Sequence, residues 1–288
     1  MKKKDIILFS LLTFAFIWGL TAVFRLCGGS YNSIAGTLVA AVCMLIPLAC
    51  VLLMQAMRGE KLLSGVGISW KINRWWIVGW LLMPIAALAI LGVCALMPGM
   101  HFNAHTELVD SALAQMSASG LNVGSAGLLA IELVSGLMAG FTINALFAFG
   151  EEVGWRGWLL KQFKGCNFIA STLVIGLIWG LWHAPLILMG HNYPDHPVAG
   201  VFMMMAFCAI FTPLISYIRI KSESVIAAAI VHGTLNAVAG LSVLYIDGYN
   251  DLLGAAGVPA IIVSLLIDLG FFLYDRYISK ENIFTSPL

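Results

Sequence analysis

Eight runs of about 20 predominantly apolar residues divide this chain, and they constrain its fold more than any other feature. A helix needs about 20 such residues to cross the hydrocarbon core of a bilayer. The runs cover residues 6–26, 34–57, 75–97, 128–150, 168–189, 198–218, 224–245 and 258–276. The sequence therefore predicts an all-α, polytopic membrane bundle of about eight transmembrane helices, forming a single integral membrane domain over residues 1–288.

Composition supports a membrane protein and excludes other classes. Hydrophobic residues make up 61% of the chain and charged residues only 10%, whereas soluble domains carry about 25% charged residues. No basic patch of the kind that binds nucleic acid is visible, so no nucleic-acid partner is expected. The six cysteines form no C-x-x-C pair, which argues against a zinc-thiolate site or a disulfide framework.

The N-terminal segment has the charge pattern of a signal peptide, because Lys2, Lys3 and Lys4 precede an apolar run. That run continues to about Leu26 and is long enough to cross a bilayer. No convincing small-residue cleavage site follows it. We therefore expect an uncleaved first transmembrane helix.

The basic residues are placed asymmetrically, and this predicts the orientation of the bundle. Of the 15 lysines and arginines, all but Arg25 and Arg156 lie in the two termini or in the loops on the same side of the predicted bundle as the termini. The opposite loops, 98–127, 190–197 and 246–257, contain none. Because cytoplasmic loops are enriched in Lys and Arg, we expect both termini in the cytoplasm. The short loops also favour a prokaryotic cell membrane.

Ionisable and amide side chains occur at membrane depth in three of the runs. Glu151, Glu152 and Arg156 end the fourth run, His183 lies in the fifth, and His232 and Asn236 lie in the seventh. A charged group at this depth costs about 2.5–3.5 kcal/mol on insertion scales, and such groups are usually functional. Together they are the side chains that a hydrolytic site requires.

Spacing predicts how these side chains are arranged. Glu152 and Arg156 are four residues apart, as are Trp179 and His183, and His232 and Asn236, so each pair shares a helix face. The spacing of Glu152 and Arg156 allows an ion pair. A hairpin turn near residues 165–167 would place Glu151 and His183 at similar depth, about 22–26 Å from the turn. Gly176 and Gly180 predict close approach of another helix.

Each of these groups also has a purely structural interpretation. The carboxylates can end a helix in water, His183 can bond a backbone carbonyl, and His232 with Asn236 can bond a neighbouring helix. Their convergence on three helices favours function over these readings. For Glu132 and Asp268 the sequence leaves three roles open: capping a helix, pairing with another charge, or lining a water path. Four histidines are interpreted as loop or surface residues: His101, His105, His191 and His196. For His191 and His196, together with Asp195, the alternative is a loose metal site.

Three known signatures of intramembrane proteases do not fit this chain. The chain has no H-E-x-x-H and no Gly-x-Gly-Asp. Ser117 to Gly120 looks like an intramembrane serine motif, but it lies in a polar loop, where we expect a short surface helix at about 107–116.

The set E-E-x-x-x-R at 151–156, W-x-x-x-H at 179–183 and H-x-x-x-N at 232–236 resembles the CAAX prenyl protease and bacteriocin-processing family of intramembrane endopeptidases. That family carries these motifs in the same order on separate helices, with Phe where this chain has Trp179. The resemblance covers residues 140–243, which we take as the core that carries the motifs.

The resemblance implies a role for each residue. Glu151 would act as general base on a water positioned with His183, and His232 and Asn236 would donate to the oxyanion. Such donors supply about 2.7–4 kcal/mol each in a dry site. Glu152 and Arg156 would be supporting residues that hold the structure or orient the peptide. Trp179 would keep the aromatic wall.

Cofactor and function each keep an alternative. The family has been described as metalloprotease, and Glu151, His183 and His232 could ligate zinc. Metal-free catalysis is favoured because Asn236 suits an oxyanion donor better than a zinc ligand, so no cofactor is expected. The expected partners are the lipid bilayer and a membrane-associated peptide or protein substrate. The competing function is a non-proteolytic immunity factor or transporter that uses the same polar site for binding.

Overall fold

A computed structural model describes residues 3–288, and it is helical almost throughout. The long helices follow the apolar runs, because a helix satisfies its own backbone hydrogen bonds in lipid. The α-helices are α1 Lys3–Leu26, α2 Ile34–Met57, α3 Arg74–Cys94, α4 Glu107–Ala118, α5 Ser125–Phe141, α6 Ile143–Glu152, α7 Leu160–Gln162, α8 Phe168–Trp182, α9 Ala184–Ile187, α10 Pro197–Lys221, α11 Val225–Val238, α12 Leu241–Tyr245 and α13 Val258–Leu273.

Strands and other helix types are short. A two-residue ribbon pairs β1 His101–Phe102 with β2 Ile246–Asp247 antiparallel and ties two predicted outer loops together. The π-helical segments are Val153–Leu159 and Tyr274–Ser279, and the 3-10 turns are Asp251–Leu253 and Ile283–Thr285. The predicted surface helix at 107–116 is confirmed as α4.

The all-α, polytopic bundle is confirmed, whereas the number of spans is not fixed at eight. Among the described residues, six helices are long and apolar enough to cross a membrane, or seven if a bent pair counts as one span. The fifth predicted run is the exception, since α8 has only 15 residues and ends at Trp182. His183 caps α8, and Pro185 opens the separate short helix α9.

The fourth predicted run is a broken helix. Helices α5 and α6 meet at Thr142, whose backbone angles (φ −112°, ψ −101°) are not helical, and they bend by 49°. Beyond Glu152 the helix continues through the π-helical segment to Gln162. π-helical turns are frequent at functional sites, and this one carries Arg156.

The predicted turn near residues 165–167 is present, with Gly165 in the left-handed region (φ +81°). The two arms contact each other near this turn, and farther along each packs mainly on other helices: α8 on α10, and α6 on α11 and α2. A Cβ on Gly176 would lie 2.4 Å from the Cys208 carbonyl oxygen, and one on Gly180 would lie 2.4 Å from the Met205 Cα. The predicted close approach of a helix at this glycine pair is therefore confirmed, with α10 as the partner.

Candidate active site

A cavity of about 530 Å³ lies within the bundle, and all four predicted catalytic side chains line it. Glu151 comes from α6, His183 from the end of α8, and His232 and Asn236 from α11. Helices α2 and α10 complete the wall with mainly apolar side chains. The structure thus brings together groups that lie as many as 85 positions apart in the chain.

Glu151 is held by two indole groups. Its side chain is buried, and its Oε2 accepts hydrogen bonds from Trp179 Nε1 at 2.6 Å and Trp155 Nε1 at 3.3 Å. Both donors end on the same oxygen, so Oε1 is left for a third partner. This arrangement fixes the carboxylate while keeping one acceptor oxygen at the cavity.

The Trp179 backbone sets the tautomer of His183. His183 Nδ1 lies 2.8 Å from the Trp179 carbonyl oxygen. A carbonyl only accepts, so Nδ1 carries the proton and Nε2 presents a lone pair. The bond to a backbone carbonyl that the sequence offered as a structural alternative is therefore real. It coexists with the position of His183 on the cavity wall.

Glu152 lies behind the cavity at the centre of a buried charge cluster. Its Oε1 accepts from Arg156 at 2.9 Å and from His232 Nδ1 at 2.9 Å, so the predicted ion pair of Glu152 with Arg156 is confirmed. Arg156 also donates to Thr212 Oγ1 at 3.2 Å, and its guanidinium carbon lies 4.1 Å from the Trp179 ring centroid. The cluster therefore anchors His232. The sequence did not predict this hydrogen bond between His232 and Glu152.

Trp179 proves to be more than an aromatic wall. It bonds Glu151 through its indole, binds His183 through its carbonyl and stacks over Arg156. The signal for this was present in the sequence, because Trp stands where the family has Phe and only Trp offers an indole N–H. Trp155 was also missed as a Glu151 partner, although the two are four residues apart.

A further pair at the cavity mouth was not predicted as part of the site. Tyr31 Oη lies 2.5 Å from His191 Nδ1, and the His191 ring stacks parallel to His183 with centroids 6.4 Å apart. Burial lowers the pKa of His191 to about 4. His196 instead pairs with Asp251 at 2.6 Å, away from His191. The loose metal site suggested for this loop is therefore not formed in the described part of the chain.

The structure also bears on a metal at the main site. Among residues 3–288, no three His, Cys, Asp or Glu side chains are grouped so as to hold a metal ion. His232 Nδ1 is engaged by Glu152, which leaves Nε2 as the nitrogen that a metal would have to use. Whether the protein uses a metal stays a prediction.

Comparison with known proteins agrees with the motifs. Residues 133–238 match the family described as type II CAAX prenyl endopeptidase, Rce1-like. A segment of 92 residues is 28% identical to CAAX prenyl protease 2 of Methanococcus maripaludis, covering 30% of this chain and 34% of the relative. The match thus spans about a third of that relative. The part of this chain that carries the motifs is therefore similar to the Rce1-like CAAX prenyl endopeptidases, in agreement with the resemblance of the motifs themselves.

Proposed function

We propose that this protein is an intramembrane endopeptidase that hydrolyses a peptide bond of a membrane-associated substrate. The observation that carries the proposal is the cavity that gathers Glu151, His183, His232 and Asn236 between apolar helices. The family match supports the same reaction class. The substrate class follows from the bilayer setting, because a peptide must lie in or at the membrane to reach this cavity.

Glu151 and His183 form the water-activating half of the proposed site. Glu151 Oε1 is free of the two indole bonds, and His183 Nε2 offers a second acceptor. A water held between them loses a proton to Glu151 as its oxygen attacks the carbonyl carbon. That proton then passes to the leaving nitrogen when the C–N bond breaks. General acid–base catalysis of this kind contributes about 100- to 10,000-fold.

His232 and Asn236 form the oxyanion half. An oxyanion needs an N–H donor, so His232 must carry protons on both nitrogens, one for Glu152 and one for the substrate. The Glu152 carboxylate 2.9 Å from Nδ1 supports that imidazolium.

The proposal is tested by cleavage of a membrane-tethered peptide in proteoliposomes. Glu151→Gln and His183→Ala should lower the rate about 100- to 10,000-fold, because each removes one of the two water-activating groups. His101→Ala is the matched control, since His101 is exposed on the surface strand β1 away from the cavity. Equal cleavage by all four proteins would refute the mechanism. A retained biological effect in both site variants would favour a binding function as an immunity factor or transporter.

The same assay tests the proposed absence of a metal. We expect unchanged cleavage after exhaustive chelation, because the Glu151 carboxylate and the His183 imidazole suffice to activate water in this scheme. Activity that is lost on chelation and restored by zinc would overturn this part of the proposal. It would leave the assignment as an endopeptidase intact.

A further inference from the structure

We infer that the cavity opens on the extracytoplasmic side of the membrane, so that substrate and water reach Glu151 from outside the cytoplasm. The inference rests on the proposed function for its account of the substrate. Its structural part stands on two independent observations. One is which loops form the cavity mouth, and the other is where the basic residues lie.

The mouth of the cavity is built from loops at one end of the bundle. Tyr31 comes from the α1–α2 loop, His191 and Asn192 from the α9–α10 loop, and Ala255 and Ala256 from the segment before α13. No lining residue within 3–288 comes from the opposite loops, 58–73, 163–167 and 222–224, or from the segment after α13.

The depth of the other lining residues agrees with this direction. Met44 lies ten residues into α2 and Cys208 eleven residues into α10, counted from the mouth end of each helix. At 1.5 Å per residue they are about 15–17 Å deep, roughly halfway across a core of about 30 Å. His183 is about 22 Å from the opposite end of α8 by the same rise. The cavity therefore runs from the mouth to mid-membrane and stops.

The mouth loops are also the loops without basic residues. The segments 27–33, 98–127, 190–197 and 246–257 contain no Lys or Arg, and Arg25 in the last turn of α1 is the exception at this end of the bundle. They carry five carboxylates: Glu107, Asp110, Asp195, Asp247 and Asp251. The loops at the other end contain Arg58, Lys61, Lys71 and Lys164. Since short basic loops stay in the cytoplasm, the cavity mouth faces the other side.

This direction narrows the substrate class. A peptide bond can reach Glu151 only if it lies in the extracytoplasmic half of the bilayer or at its outer surface. Segments that are anchored from the cytoplasmic face would meet the closed floor of the site. The expected substrate is therefore a membrane-associated peptide whose cleaved bond is exposed in the outer leaflet.

The test is cysteine labelling in intact cells with a small, membrane-impermeant thiol reagent, read by mass shift. Cys27 is exposed, Cys166 is partly exposed and Cys208 lines the cavity. The background therefore carries Cys27→Ser, Cys166→Ser and Cys208→Ala, and it is checked for monodisperse purification. The other three cysteines are buried.

Three single cysteines then report the two faces and the mouth. Asn192→Cys probes the mouth, Ser119→Cys probes the same face outside the cavity, and Lys61→Cys probes the opposite face; all three native residues are exposed. We expect the first two to label in intact cells and the third only after permeabilisation. Labelling of Lys61→Cys alone in intact cells would reverse the orientation and overturn the inference. Labelling of Ser119→Cys without Asn192→Cys would overturn it as well.

Asn236→Cys tests whether the mouth leads to the proposed site. This exposed position lines the cavity near His232, and we expect it to label in intact cells in the same way as Asn192→Cys. Loss of labelling at this deeper position alone would refute access from this side. Because labelling needs no catalysis, these outcomes are independent of whether the chain cleaves peptides.

Discussion

At the scale of single residues, Trp179 decides how the site is held together. Its indole, its backbone carbonyl and its ring face each contact a different group of the cluster, namely Glu151, His183 and Arg156. A hydrogen bond to a charged group contributes about 1.5–3 kcal/mol. The proposed base is therefore positioned largely by a residue outside the reacting set.

Trp179→Phe should lower kcat about tenfold or more, because it deletes the 2.6 Å bond to Glu151 and keeps the aromatic packing. KM should change little, since the cavity keeps its shape. Trp155→Phe is the matched control, because it removes a longer bond of 3.3 Å to the same oxygen. Peptide cleavage kinetics measure both variants. Equal losses in the two, or none in Trp179→Phe, would contradict the positioning role.

The residues of the site were predictable from sequence only where the partners share a helix. The pair Glu152 with Arg156 follows from i, i+4 spacing and is present. The bonds from Trp179 to Glu151 and from His232 to Glu152 join residues 28 and 80 positions apart. Spacing on one helix carries no information about such contacts, because they depend on how the helices pack.

At the scale of elements, the packing of α8 on α10 carries His183 to the cavity. Gly176 and Gly180 allow this approach, since a Cβ at either would meet backbone atoms of α10 at 2.4 Å. Backbone cannot move aside as a flexible side chain can. The two helices must therefore separate if either glycine gains a side chain.

Gly176→Ala should destabilise the fold by about 1–3 kcal/mol through overpacking, and it should reduce cleavage because α8 carries Trp179 and His183. Gly270→Ala on α13 is the control, because no heavy atom lies within 4 Å of its added Cβ. The control should be neutral or slightly stabilised, since Ala favours helix over Gly by about 1 kcal/mol. Thermal unfolding in detergent compares them. Equal unfolding temperatures would contradict the packing account.

The helices themselves were largely predictable, whereas their breaks were not. Every one of the eight apolar runs contains a helix, and the turn at Gly165 falls where the loop residues predicted it. The 49° bend at Thr142 has no local signal. It lies where α11 presses against the chain, since Cβ atoms on Gly140 and Gly233 would meet Thr234 Cα at 2.4 Å and Ala145 N at 2.6 Å. Tertiary contact, not propensity, fixes the break.

At the scale of the whole molecule, the outer loops are tied together around the cavity mouth. Tyr31 joins the α1–α2 loop to His191 of the α9–α10 loop, and Asp251 joins that same loop to the segment before α13 through His196. The ribbon of β1 and β2 holds two further loops. An apolar bundle has few polar ties of this kind, so their protonation affects the stability of the fold.

The free energy of unfolding should therefore fall as the pH is lowered from about 6.5 to about 4. Burial lowers the pKa of His191 from 6.5 to about 4. Across this range the unfolded chain binds a proton at His191 and the folded chain does not, so folding loses stability. Below about 4 both states are protonated and the loss ends. This lowered pKa corresponds to a loss of roughly 1–3 kcal/mol in the free energy of unfolding, after allowance for the partial exposure of the ring.

His191→Gln removes the proton-binding group, so its unfolding free energy should fall less steeply over the same pH range, whatever its absolute stability. His105→Gln is the control, because His105 is exposed in a loop away from the cavity. Chemical unfolding in detergent at pH 7, 6, 5 and about 4 measures the slopes for all three proteins. If the His191→Gln curve ran parallel to the wild-type curve, protonation of His191 would not be what lowers the free energy of unfolding in this pH range.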